Sequence, residues 1–456
     1  MLLPPRSGLS PFSDDAFKLS RWSTAETLVN LDEEGDAQPA LATAWSRSSD
    51  RTWEFTIRQG VTFHDGSKLT AQVAANALTR AGQATPKPRI LDGVELTAKA
   101  EGDKLVVTTG EPDPLVPHRL SSPQLSILAE RAYGSDGQVN PVGTGSGPFK
   151  LTRINGTTTA TLDRYDGYWG EKAKAAGIDV SFVPDGTARA AAIRSGQAHV
   201  VEAVPVSQAA LLPKETISEV PMPRTNTLYL NTAKGPFKDA GLRAAARTAI
   251  DAGQLVNGVY EGRADVAAGL LGPALPWAAE GRKPLTQRTA AADAKGTRIT
   301  LATYSDRPEL PEVASVLQQQ LQAAGFTVKL VVREYAHIEE DALAGEFDAF
   351  ILSRATMLDS GDPVAYLQAD FTCDGSFNLA KLCDDGVDKA VKKAAATEAG
   401  AARRAAILEA EAAILRTDAA IPMLHERVIQ GDATTVTGSA KDPRERILIT
   451  LDTRLK

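Results

Sequence analysis

Cysteine is nearly absent from this chain of 456 residues, which has only Cys373 and Cys383. That excludes a disulfide-dense scaffold and a four-thiolate zinc site. Histidine is also sparse: the five lie at 64, 118, 199, 337 and 425, and none pairs at metal-ligand spacing. The apolar stretches fall far short of the roughly 18 residues a membrane helix needs. No Lys/Arg cluster stands out, and the formal net charge of −7 argues against a nucleic-acid partner or an anionic membrane surface. A Gly-x-Ser-x-Gly elbow, a Walker loop, a His-Glu-x-x-His pair and an EF-hand loop are all missing. The expectation is therefore a protein that is not an enzyme and needs no cofactor. No fixed-period repeat occurs.

What is present is ordinary soluble composition, 43% hydrophobic and 23% charged. The length is too great for one core, so two or three lobes are expected. The opening MLLPPRSGLSPF has an apolar run of three residues before Pro4-Pro5 and does not read as a signal peptide. Taken alone, it points to the cytoplasm.

Nine residues separate the two cysteines, and Asp374-Gly375-Ser376 between them predicts a turn. A local disulfide is the preferred reading, with two unrelated buried thiols as the alternative. A two-cysteine zinc site is disfavoured because no histidine lies nearby in sequence.

Periodicity organises the rest. In 51–78, Trp53, Phe55 and Ile57 alternate as a strand, Gly60 turns the chain, Val61 and Phe63 resume it, and Leu69 leads into a helix. His64 reads as a turn histidine and Trp45 as a core anchor. A hairpin is predicted over 94–114. The glycines of NPVGTGSGPFKLTRI (140–154) invite a phosphate-loop reading, but Pro148 and a strand follow where an anion site would need a helix. A strand-crossing turn is preferred. Strand-helix-strand order recurs in 178–205 and 297–336, and His199 reads as a surface residue. A further strand covers 345–358, and the stretch 384–426 carries two helices, separated at Gly400, before a strand opens at Ile421-Pro422.

The stretch LYLNTAKGPFKDAGLRAAARTAID (228–251) reads as a strand, a turn at Gly235-Pro236 and an alanine-rich helix bearing Arg243. Together with 51–78, the Gly-Thr-Gly turn, RYDGYWG (164–170), 178–205 and SRATMLDSGDPVAYL (353–367), it resembles the extracytoplasmic solute-binding proteins of the peptide/opine/nickel class that serve ABC importers. The resemblance runs from Ala40 to about Val428, with the motifs in the family's order.

It implies a two-lobe α/β clamp of the periplasmic-binding-protein kind (type II, cluster C). The first lobe would comprise 1–228 and 425–456, with an inserted subdomain at about 34–140, and the second lobe 229–424. Two strand-like crossings, near 226–231 and 424–430, would hinge them. The cargo would be a short peptide or amino-acid-like molecule held between the lobes. Nickel or a metal chelate is the alternative, and a peptide-sensing module or an enzyme on this fold is less favoured. Expected partners are an ABC permease and its ATPase subunits. The protein would be a monomer outside the cytoplasm, free or lipid-anchored, its export signal missing from this chain.

The resemblance also implies site residues. Asp359 stands where peptide-binding members place a carboxylate on the ligand's ammonium group. Thr356 replaces a common tryptophan, and Met357 could supply a soft wall. Arg354, Arg119 and Arg427 are candidates for clamping a carboxylate. Tyr229, Trp22, Tyr335 and His425 are further ligand candidates. No metal ligand is expected among the side chains.

Overall fold

The computed structural model describes every residue except Asp14, Gln287, Pro308, Leu358 and Asp359. The chain divides into two compact units, Met1–Val220 with Leu358–Gly361 and Val428–Lys456, and Pro221–Met357 with Asp362–Arg427. Two of the passages between units fall inside long strands, Ile217–Leu230 and Ala420–Asp432.

In the first unit, alternation does what it predicts. Thr52–Ile57 buries Trp53, Phe55 and Ile57 and pairs with Ala42–Arg47 and Lys104–Thr109; the latter forms a hairpin with Leu96–Glu101. The helix Ala71–Gln83 packs on this four-stranded sheet, its first turn capped by the Thr70 hydroxyl accepting from Val73 N. Val61 and Phe63 are buried but do not extend the strand; only an isolated bridge, Thr62 to Lys68, forms there. Trp45 lies half-buried at the margin of this core. A second, three-stranded sheet, Phe149–Asn155, Thr159–Arg164 and Gly177–Ser181, has its own core with Trp22 and Phe182.

Gly145 and Gly147 belong to a close backbone crossing. A Cβ at Gly145 would lie 1.9 Å from Thr24 O, and one at Gly147 2.1 Å from Ser23 O. The glycines serve packing, in keeping with a strand-crossing turn.

The second unit carries three parallel strands. Arg298–Tyr304 lies between Thr327–Arg333 and Ala349–Ala355. Ile217–Leu230 runs antiparallel to Ala349–Ala355, so Arg224 faces Ala355 and Leu230 faces Ala349. Ala264–Val266 pairs with Ala420–Asp432 through Asp265 and His425. The crossover helix Glu309–Ala323 buries Leu310, Val313, Ala314, Leu317 and Leu321, a single face at helical spacing. Each buried leucine or valine contributes about 1.5–3 kcal/mol. Asp239 and Asp384 cap the helices Ala240–Ala249 and Asp385–Ala396 by accepting from backbone N–H groups. Gly400 separates the second of these from Ala401–Arg416.

Candidate functional site

Open α/β sheets receive ligands beyond the carboxyl ends of their parallel strands, where loops diverge and side chains are not consumed by the core. In the second unit these ends are Ser305–Arg307, Glu334–Tyr335 and Thr356–Met357. Because Ile217–Leu230 is antiparallel, it brings Arg224 to the same end.

A buried carboxylate organises this end. Glu426 accepts from Asn226 Nδ2 at 2.6 Å, from Ser353 Oγ at 2.5 Å and from Arg307 Nη1 at 2.8 Å. Burial alone would raise its pKa; Arg307, Arg224 and the hydrogen bonds from Ser353 and Asn226 outweigh this and hold it below the usual carboxylate range. The Glu426 side chain is 8% exposed and that of Arg307 33%. The negative member lies inside and the guanidinium outside. Only Nη1 of Arg307 is committed to Glu426.

The other face repeats this order. Arg354 donates from Nε and Nη2 to the two oxygens of Asp370, at 2.9 and 2.7 Å. Burial pushes the Asp370 carboxyl up to about 6, with Arg354 pulling the other way, so the pair is ionised at neutral pH. Tyr304 and Tyr335 stand edge to face between these systems, with ring centroids 4.9 Å apart. Arg307 acts electrostatically on the Tyr304 phenol and Arg354 on that of Tyr335.

Four sequence candidates gather at this end: Arg354, Tyr335, Thr356 and Met357. Met357 is buried, and Thr356 donates from its backbone N and its hydroxyl to Pro223 O. Asp359 lies outside the described residues. The remaining candidates are engaged by internal partners or enclosed in a core. Tyr229 is buried within its strand, stacked on Phe371, and donates to Asp370 at 3.3 Å. His425 is buried beside Thr225, whose hydroxyl donates to Leu270 O; Nδ1–H of His425 therefore donates to Thr225 Oγ1, at 2.9 Å. Arg427 forks onto Asp265. In the first unit, Arg119 donates to Asp113 and to Ile90 O, and Trp22 is enclosed in the core. His64 is a turn residue, as read, but a buried one, bonded through Nε2 to Gly147 O at 2.8 Å. His199 is exposed. Cys373 and Cys383 form the disulfide.

Sequence reading missed Glu426, Asn226, Ser353, Arg307 and Asp370. Two of these carried a signal: Ser353 opens the segment 353–367 already singled out, and Arg307 closely follows the first strand of the strand-helix-strand stretch 297–336. Among the described residues, no three His, Cys, Asp or Glu side chains gather to hold a metal ion, and no helix is long and apolar enough to cross a membrane.

Comparison with known proteins gives a consistent picture. Residues 36–378 match the model of the bacterial extracellular solute-binding proteins, family 5. The glutathione-binding protein GsiB of Salmonella paratyphi A is 25% identical over 439 residues, 90% of this chain and 85% of that protein. The dipeptide-binding protein of Pseudomonas aeruginosa is 27% identical, covering 92% of this chain and 87% of its own length. A nickel ABC transporter structure from Bacillus halodurans superposes with a TM-score of 0.84 at 26% identity, over 99% of this chain and 98% of that one.

Proposed function

Because the chain belongs to the family 5 bacterial extracellular solute-binding proteins, we propose that it captures a short peptide or amino-acid-like solute and delivers it, unaltered, to an ABC permease. Arg307 receives the cargo's terminal carboxylate. The observation that carries this reading is the polarity of the Glu426–Arg307 pair: the carboxylate is buried and fixed by Asn226 and Ser353, and the Arg307 side chain above it is one-third exposed. A guanidinium held from behind loses little rotamer freedom on binding, and its planar fork matches a carboxylate. Asp359, in the segment that resembles the family's ammonium-binding junction, receives the cargo's amino group.

The chemistry proposed is binding only, outside the cytoplasm, with no bond made or broken. A second reading has support in the nickel-transporter neighbour. A metal held by an organic chelator would present carboxylates to the same arginine, and the protein would supply no metal ligands.

Calorimetric titration with paired free-acid and amidated di- and tripeptides separates these. The free acids bind the wild type, and amidation weakens binding about tenfold or more. Arg307→Gln with Glu426→Gln, which removes both charges together, abolishes the difference. Equal binding of acids and amides by the wild type contradicts the role of Arg307. Binding of a nickel–histidine complex with no response to any peptide favours the second reading.

A further inference from the structure

Arg354 is the penultimate residue of Ala349–Ala355, and strand alternation sends its side chain to the face opposite Ser353. Asp370 beneath it has a fully buried side chain (0%), while Arg354 retains 27% exposure. Tyr229 adds a donor to the same carboxylate. The ring of Phe377 lies against the guanidinium, 4.3 Å from its carbon to the ring centroid. Phe377 itself sits in the loop closed by Cys373–Cys383. The fork is therefore fixed along one edge by a carboxylate and across one face by an aromatic ring. Nη1 makes no hydrogen bond among the described residues.

A pair serving stability alone gains nothing from this order, since a buried ion pair is often no better than apolar packing. An anchored guanidinium with an uncommitted nitrogen is instead a preorganised receiver for an anion. Its location fits. Arg354 lies at the end of the strand Ala349–Ala355, Arg307 follows its parallel neighbour Arg298–Tyr304, and Tyr304 packs edge to face on Tyr335 at that same end. The two arginines border the same strand end, one from each face of the sheet.

Resting on the reading of Arg307 as the receiver of the terminal carboxylate, we propose that Arg354 is a specificity-determining residue that receives a second anionic group, so that the preferred cargo is an acidic di- or tripeptide. Phe377 and Asp370 are positioning residues for it.

The test uses Glu/Gln pairs with identical termini: Ala-Glu and Ala-Gln, Glu-Ala and Gln-Ala, Ala-Ala-Glu and Ala-Ala-Gln, titrated calorimetrically into the full chain. In at least one pair the Glu peptide binds about tenfold or more tighter. Arg354→Gln lowers the affinity of that peptide to that of its Gln partner and leaves the Gln partner unchanged. Since this variant leaves Asp370 buried without its cation, Arg354→Gln with Asp370→Asn is measured as well, and gives the same loss. Wild-type protein that binds Glu and Gln members alike overturns this proposal and leaves the role of Arg307 standing. Retention of the Glu preference by the double variant also overturns it. Binding of none of the six overturns both readings.

Discussion

Two buried histidines set how the molecule responds to acid. Burial pushes the His64 imidazole down to about 4; the Gly147 carbonyl pulls upward and Lys150 adds to the lowering. Burial likewise brings His425 down to about 4, with Arg282 adding to the effect. Unfolded, each imidazole accepts a proton near pH 6.5; folded, each resists until about pH 4. Their stabilising effect is complete above pH 6.5 and is lost as pH falls toward 4, at about 1.4 kcal/mol per pH unit for each. Asp370 works in the opposite direction. Its raised pKa favours the folded state as pH falls from about 6 toward its ordinary value, so a bare pH profile mixes the two. The His64→Gln variant isolates one group. Its loss of unfolding free energy between pH 7 and pH 5 is smaller than that of the wild type by about 2 kcal/mol. Equal losses contradict a neutral, buried His64.

At the scale of elements, the disulfide and the strand ends carry the argument. Cys373 and Cys383 close a short loop that presents Phe377 to Arg354. Replacing both by serine removes the constraint on the unfolded chain and costs about 2–3 kcal/mol, read as a lowered denaturation midpoint. An unchanged midpoint contradicts the stabilising role of the bridge.

The elements themselves were legible wherever local chemistry decides them. Trp53, Phe55 and Ile57 alternate and Gly400 breaks a helical run, each within a few residues of its effect. Val61 and Phe63 misled because the segment paired with them, at Ser67 to Leu69, is so short that a single isolated bridge forms in place of a strand. The candidate site was legible only in part. Arg354, Thr356 and Met357 stand in a recognisable segment. The carboxylates that orient the arginines are separated from them by 16 residues (Asp370 and Arg354) and by 119 (Glu426 and Arg307), and no local pattern announces such a pairing. Arg119, Arg427 and Trp22 show the converse. As residue types they suit a ligand, but the fold gives them internal partners or encloses them in a core.

At the scale of the whole molecule, the chain is a family 5 solute-binding protein built as two compact α/β units. Its candidate recognition groups in the second unit form an array at the carboxyl ends of three parallel strands. In the proposed function this array reads charge through arginines held by buried carboxylates, and the cargo is carried without chemistry. Native mass spectrometry of the protein after exposure to a di- and tripeptide mixture, followed by mass analysis of the released cargo, tests this most directly. The account predicts one retained peptide per chain, enriched in acidic sequences and released with its mass unchanged. Retention of a metal–chelate mass in place of any peptide, or release of a chemically altered cargo, would contradict it.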